Sequence, residues 1–376
     1  MNDKYCGFET GPIRPPSEAE SLLVRVTRNC PWNQCSFCSL YKGEAFSRRP
    51  IEDVLRDVDT VKYYIDELQR AKKEGRPLSS ILLRTPEEEQ AWYAAANFYN
   101  GGIRSIFLQD ANSLMIKPEE MIRLLRHLRT LFPDVERVTT YGRSKTIARI
   151  SDEDLVAMAE AGLNRVHIGM ESACDAVLAR VKKGADKAAH IVAGLKVKGA
   201  GIQLSEYYIP GLGGRALSRE HALETAEAMS RINPDYIRLR TLGLPAGAPL
   251  SEEYRRGEFD KMGEVETAAE LLLFLENLEG VTSHIPYDHV LNLFQEVDGQ
   301  LPEDRKKILT PIRSFLHLPA HEQMLFALAR RTHRMARLAD LDNPALREPV
   351  ERWCREIGAT PENMDGLIDG IMQQFI

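Results

Sequence analysis

Cys30-Pro-Trp-Asn-Gln-Cys35-Ser-Phe-Cys38 sets three cysteines in nine residues, directly after the run Ser21-Leu-Leu-Val-Arg-Val26. The run is apolar and β-branched and reads as a buried strand. The cysteine spacing is C-x4-C-x2-C, with an aromatic just before the last. Thiolates this close pair poorly as ordinary disulfides and can instead converge on one metal centre. Soft thiolates select zinc or iron–sulfur, and a fourth ligand separates the two. A structural zinc takes four protein ligands, whereas three cysteines on a four-iron cluster leave one iron open. Cys6, Cys174 and Cys354 are scattered and no second C-x-x-C occurs, so they read as packing residues, although Cys6, Cys174 or a distant histidine could fold over as a fourth ligand.

Working outward, residues 1–20 form an N-terminal loop with Gly11, Pro12, Pro15 and Pro16. Pro50 opens a helix in which Ile51, Val54, Leu55, Val58, Val61, Tyr64, Ile65 and Leu68 fall at helical spacing. Residues 72–100 break the rhythm and read as an insertion with a helix near 86–98. Regular alternation follows. Strands are predicted at 103–108, 136–141, 165–170, 201–209 and 235–241. Helices are predicted at 118–131, 152–161, 173–182, 186–199 and 218–232, the last with Ser218 as N-cap. With the first strand this makes six strand–helix units in residues 21–250, which give parallel strands joined by right-handed crossovers. A barrel or open partial barrel is the natural closure, with chemistry at the C-terminal ends of the strands. Residues 251–376 read as an all-helical C-terminal domain, with helices at 264–279, 288–296, 302–316, 320–338 and 345–375.

The chain has 376 residues, a net charge of −6 and 28% charged residues, ordinary for a globular enzyme and without the basic excess of a nucleic-acid binder. No apolar run approaches the roughly 18 residues a membrane span needs, and the N-terminus has no signal-peptide core. The expected location is the cytoplasm.

The cysteine triple after the first strand of a six-unit α/β chain resembles the radical S-adenosylmethionine (radical SAM) enzymes. Their common pattern, C-x3-C-x-aromatic-C, has three residues where this chain has four, which marks a variant subgroup. The resemblance covers roughly residues 20–250 and implies a partial (β/α)6 barrel, a [4Fe-4S] cluster on Cys30, Cys35 and Cys38, and S-adenosylmethionine as cofactor. Phe37 takes the slot where family members pack the adenine. Gln109-Asp110-Ala-Asn112 stands where they place a Gly-Gly-Glu-like segment for the methionine amino group, so Asp110 and Asn112 are expected to supply acceptors, although the glycines are missing. Arg143 is expected on the methionine carboxylate. Gly169-Met-Glu171-Ser172 resembles the Gly-x-Glu-Ser segment near the ribose, with Glu171 accepting from its hydroxyls. Pro210-Gly-Leu-Gly-Gly214 stands where the adenine stacks.

The same resemblance implies reductive cleavage of S-adenosylmethionine to a 5′-deoxyadenosyl radical that takes hydrogen from a small-molecule substrate. A flavodoxin- or ferredoxin-like protein would supply the electron. Position 40 is Leu, where the porphyrin enzymes of the family often carry a further cysteine. The alternative is a zinc- or iron–sulfur-stabilised binding or electron-transfer protein without turnover. Beyond the motifs, Arg238 and Arg240 share one face of the last strand, placed either to pair with carboxylates or to meet an anionic substrate. His167 reads as a core histidine. His284, Asp288, His289 and Asn292 form a polar cluster, and Arg330-Arg331-Thr-His-Arg334 reads as a solvated helix face.

Overall fold

The computed structural model describes residues 5–13 and 15–372. They divide into two compact units. The first comprises the described residues within 1–33, 43–168 and 192–204, and the second those within 34–42, 169–191 and 205–376.

In the first unit the parallel strands β1 (Leu22–Arg25), β2 (Ser105–Gln109), β3 (Arg137–Gly142) and the start of β4 (Arg165–Glu171) follow chain order. Register is fixed by pairs such as Leu22 with Ile106, Phe107 with Thr139, and Thr140 with Val166. Between them lie the helices α1 (Ile51–Lys73), α2 (Glu89–Asn100), α3 (Pro118–Leu131) and α4 (Asp152–Glu160). The stripe foreseen on α1 is the face that packs, with Val58, Val61 and Tyr64 fully buried. Each such side chain stabilises by at most about 1.5–3 kcal/mol. Ser151 caps α4, its hydroxyl accepting from the Asp154 N–H at 3.0 Å. His167 is a core residue as expected, with Nε2 3.9 Å from the Glu18 carboxylate.

In the second unit β5 (Gln203–Tyr208, from Ser205 onward) pairs in parallel with β6 (Tyr236–Leu239), as Ser205 with Tyr236 and Tyr208 with Leu239. Helix α5 (Lys187–Gly199) precedes β5, and α6 (Gly214–Ile232) joins β5 to β6. Helix α6 begins one turn earlier than the Ser218 cap suggested, straight out of the glycine turn, and ends on Asn233 in the left-handed region at φ 48°. In each unit parallel strands alternate with helices, the α/β pattern foreseen from the sequence.

The C-terminal part holds helices α7 (Glu264–Glu276), α8 (Arg305–His317), α9 (Ala320–Arg331), α10 (Pro344–Glu356) and α11 (Met364–Met372). It also contains two two-residue strands. His284–Ile285 pairs in parallel with β6 through Tyr236, and Gly299–Gln300 pairs antiparallel with His284–Ile285. The helix expected over 288–296 is absent, and this stretch is irregular. The expected solvated face of Arg330 and Arg331 is also corrected. Both are buried, 2% and 4% exposed, and their guanidiniums explain the irregular stretch. Arg330 donates to the Leu293 carbonyl at 3.1 Å and to the Tyr287 hydroxyl, and Arg331 to the Leu291 carbonyl at 2.6 Å. Carbonyls satisfied by arginines have no need of a helical ladder. Arg331 balances its charge on Glu264 at 2.8 Å.

Candidate active site

In the first unit the cysteine loop is anchored to the end of β2. Asp110 is fully buried, and its Oδ2 accepts from Arg25 Nε and from the Asn29 N–H, both at 2.9 Å. Asn29 immediately precedes Cys30, so this carboxylate holds the root of the loop. The Asn33 N–H points to Cys30 Sγ at 3.4 Å. Gln109 straps the N-terminal loop to β2. It donates to the carbonyls of Gly11 and Ile13 at 3.0 and 2.9 Å and accepts from the Gly11 N–H at 2.8 Å. A side chain at position 11 would begin 3.1 Å from the Asp110 carboxylate, so only glycine sits there without displacement. Asn112 is buried. Its amide donates to Thr146 Oγ1 at 2.8 Å and accepts from the Arg143 N–H at 3.3 Å. The Arg143 guanidinium lies 5.3 Å from the ring centre of Trp32, within the cysteine loop.

In the second unit the rest of the loop is pinned by backbone bonds. The Ser36 N–H reaches the Val181 carbonyl at 2.9 Å, and the Leu250 N–H reaches the Ser36 carbonyl at 2.8 Å. Cys35 and Cys38 share one turn, Cys38 N–H to Cys35 C=O at 3.4 Å. Phe37 packs against the apolar cluster that includes Leu212, Leu242 and Leu250. Lys183 stands 5.7 Å from the Phe37 ring centre and 3.3 Å from the Glu171 carboxylate. Glu171 ends β4 at φ 67°, and Asp110 sits at φ 80°. Left-handed backbone costs a non-glycine residue about 1–3 kcal/mol, and such strain gathers at functional sites. A Cβ at residue 169 would fall 2.3 Å from Glu171 Oε1, so Gly169 is what lets this carboxylate lie back along its own strand.

Glu206, on β5, is fully buried. Neither of its oxygens meets a hydrogen-bond partner of good geometry among the described residues. Burial first, and the Glu171 charge second, push its carboxyl well above the usual range, against smaller opposite pulls from Lys183 and the Met170 N–H. The turn after β5 is braced from behind. Glu270 accepts from the Gly211 N–H at 2.7 Å and from the Tyr208 hydroxyl at 3.1 Å. His221 bonds Ser172 at 2.8 Å and the Ile209 carbonyl at 3.0 Å, and burial pushes its pKa down.

The first unit thus brings together Cys30, Asp110, Asn112 and Arg143, and the second Cys35, Phe37, Cys38 and Glu171. Trp32, Lys183 and Glu206 went unremarked in the sequence. Glu206 carried a signal, because Leu204 and Tyr208 at two-residue spacing put it on an apolar strand face. None of the six cysteines is in a disulfide. Cys174 and Cys354 are buried, with thiols pushed up by burial, as packing residues should be. Among the described residues no three His, Cys, Asp or Glu side chains gather as ligands of a single ion.

The sequence matches the Radical SAM superfamily over residues 24–229, more than half of the chain. The chain belongs to the radical SAM superfamily. Among solved structures this radical SAM chain is similar to the archaeal Methanocaldococcus infernus Elp3, at 17% identity and TM-score 0.40, over 61% of this chain and 53% of that one. It is also similar to coproporphyrinogen III oxidase (HemN) from Escherichia coli, at 16% identity and TM-score 0.44, over 73% and 59%. A third is the methyltransferase TsrM from Kitasatospora setae, with tryptophan and a SAM analogue bound, at 14% identity and TM-score 0.45, over 68% and 44%. The chain spans roughly half the length of each. No curated protein matches.

The superfamily uses a [4Fe-4S] cluster and S-adenosylmethionine. The residues present fit the cluster chemically. Three cysteines without a disulfide lie on one short loop, an N–H faces the Cys30 sulfur, and the backbone on both sides of the loop is hydrogen-bonded in place. A four-iron cluster takes its cysteines one per iron, unlike the shared shell of a single ion.

Proposed function

We propose that Cys30, Cys35 and Cys38 hold a [4Fe-4S] cluster with one iron left for S-adenosylmethionine, and that the chain is an enzyme acting on a small molecule. The observation that carries this reading is the anchored triple-cysteine loop inside the region that matches the superfamily. Once bound, the cluster and S-adenosylmethionine together supply a 5′-deoxyadenosyl radical that takes a hydrogen atom from the substrate.

The chain's own residues hold and orient. Glu171 accepts from the ribose hydroxyls, with Lys183 holding its carboxylate in place at 3.3 Å. Arg143 presents its guanidinium to the methionine carboxylate, steadied by Trp32 and by the Asn112 amide. Asn112 retains a place among the acceptors for the amino group. Asp110 serves that group indirectly, since its Oδ2 already accepts two hydrogen bonds at the root of the loop. Phe37 and the Pro210–Gly214 turn flank the adenine. The apolar packing behind Phe37 excludes water, which protects a reactive species.

An electron reaches the cluster from a flavodoxin- or ferredoxin-like donor. A reducing cytoplasm suits six cysteines without a disulfide, and no helix among the described residues is long and apolar enough to cross a membrane. The domain reading proposed is a core over 21–250, with an insertion at 72–100, and a C-terminal domain over 251–376.

Anaerobic reconstitution followed by metal analysis tests the cluster. The wild type should carry about four irons per chain, and the Cys30→Ala/Cys35→Ala/Cys38→Ala variant almost none. Tightly held zinc in place of iron would refute the assignment and favour the binding-protein reading.

A further inference from the structure

We propose that Arg240 and His289 bind an oxyanion, a carboxylate or phosphate carried by the substrate; this rests on the reading above that the chain acts on a small molecule. The Arg240 N–H bonds the Tyr208 carbonyl at 3.0 Å, so the residue extends the β5–β6 pairing by one step. That is the C-terminal end of a parallel strand, where α/β enzymes place their ligands.

The two arginines of this strand have different fates. Arg238 is buried and committed, paired with Asp288 and donating to Ser205 Oγ at 2.9 Å. Arg240 is exposed, and its guanidinium has no ion pair or hydrogen bond among the described residues.

His289 is brought to the same strand end by its neighbour Asn292. The Asn292 side chain donates to the Leu239 carbonyl at 2.7 Å and accepts from the Thr241 N–H at 3.1 Å, gripping the residues on either side of Arg240. The Asn292 N–H closes a turn on the His289 carbonyl at 3.0 Å. His289 Nδ1 accepts from the Leu291 N–H at 3.2 Å, so the neutral ring carries its hydrogen on Nε2. Burial first, and the Arg240 charge second, push His289 down to about 4, which keeps the ring neutral near pH 7.

The pair therefore offers a guanidinium fork and an imidazole N–H, and no carboxylate among the described residues is paired with either. Arg330 and Arg331 fix the carbonyls of the His289 segment, so the site is built before a ligand arrives. Donors without acceptors select an oxyanion.

Phenylglyoxal labelling of arginines tests this on the full-length holoprotein, read peptide by peptide by mass spectrometry, with exposed Arg126 as internal control. Inorganic phosphate, succinate and S-adenosylmethionine are the three protecting arms. Phosphate or succinate should slow labelling of Arg240 about tenfold relative to Arg126, and the anion that protects names the substrate group. His289→Gln, and separately His289→Ala, should remove most of that protection. Equal labelling of Arg240 with and without both anions overturns the proposal. So does protection by S-adenosylmethionine alone, which would give the site to the cofactor. Iron content and 5′-deoxyadenosine are measured on the same preparation. A chain that cleaves S-adenosylmethionine but shows no protection loses this proposal alone.

Discussion

Asp110 and Glu206 are both wholly buried acids of the strand framework, and their surroundings are opposite. Asp110 ends its strand within reach of a guanidinium and a backbone N–H, and both donate to it. Glu206 sits mid-strand between apolar neighbours, beside another carboxylate, and finds no well-placed donor. A buried acid is tolerated either by pairing or by keeping its proton. The first unit uses the first solution to fix the cysteine loop. The second uses the other, and leaves an acid whose charge state answers to whatever comes near Glu171 and Lys183.

Removing the Asp110 carboxylate should have the larger effect. Asp110→Ala leaves Arg25 with the longer Glu9 contact at 3.7 Å and its 3.3 Å hydrogen bond to Asn29 Oδ1, and the Asn29 N–H without its acceptor. The expected cost is about 3 kcal/mol in denaturant unfolding, with weaker iron retention because the loop root is freed. An unchanged unfolding midpoint would mean the contact is dispensable.

The smaller effect concerns Glu206 and has a sign set by linkage. Its folded-state pKa lies above the unfolded value of 4.5, so the folded chain binds the extra proton. The associated stability is fully present below about pH 4.5 and is lost as the pH rises toward the folded pKa, by at most about 1.4 kcal/mol per pH unit. Glu206→Gln cannot titrate. The difference in unfolding free energy between variant and wild type should therefore widen in the variant's favour as pH rises through that window. A difference that stays flat with pH would show that Glu206 is ionised in both states.

What could be read from the sequence was what depends on neighbours in the chain. The apolar stripe of α1, the limits Pro118–Leu131 of α3 and the strand run 165–171 are local patterns, and each appeared within a residue or two of its expected place. The cysteine triple and Glu171 stood out for the same reason. Contacts between distant residues escaped. Arg330 and Arg331 look like surface charge until the carbonyls of Leu291 and Leu293, some 40 residues earlier, are brought to them. The stretch 288–296 has helical spacing, but those same bonds occupy its carbonyls. Asp110 was legible as a strand-end acid, yet its partners Arg25 and Asn29 lie more than 80 residues away and give it a structural duty. Arg238 and Arg240 are indistinguishable by spacing, and the partners Asp288 and Ser205, held by Arg238, separate them.

On the function proposed above, three cysteines on an anchored loop support cleavage of S-adenosylmethionine. The most direct measurement is 5′-deoxyadenosine formed by anaerobically reconstituted protein given S-adenosylmethionine and dithionite. The wild type should produce it, and the triple-alanine variant should not. A wild-type preparation that carries about four irons per chain and yet yields no 5′-deoxyadenosine with any low-potential reductant would contradict the claim.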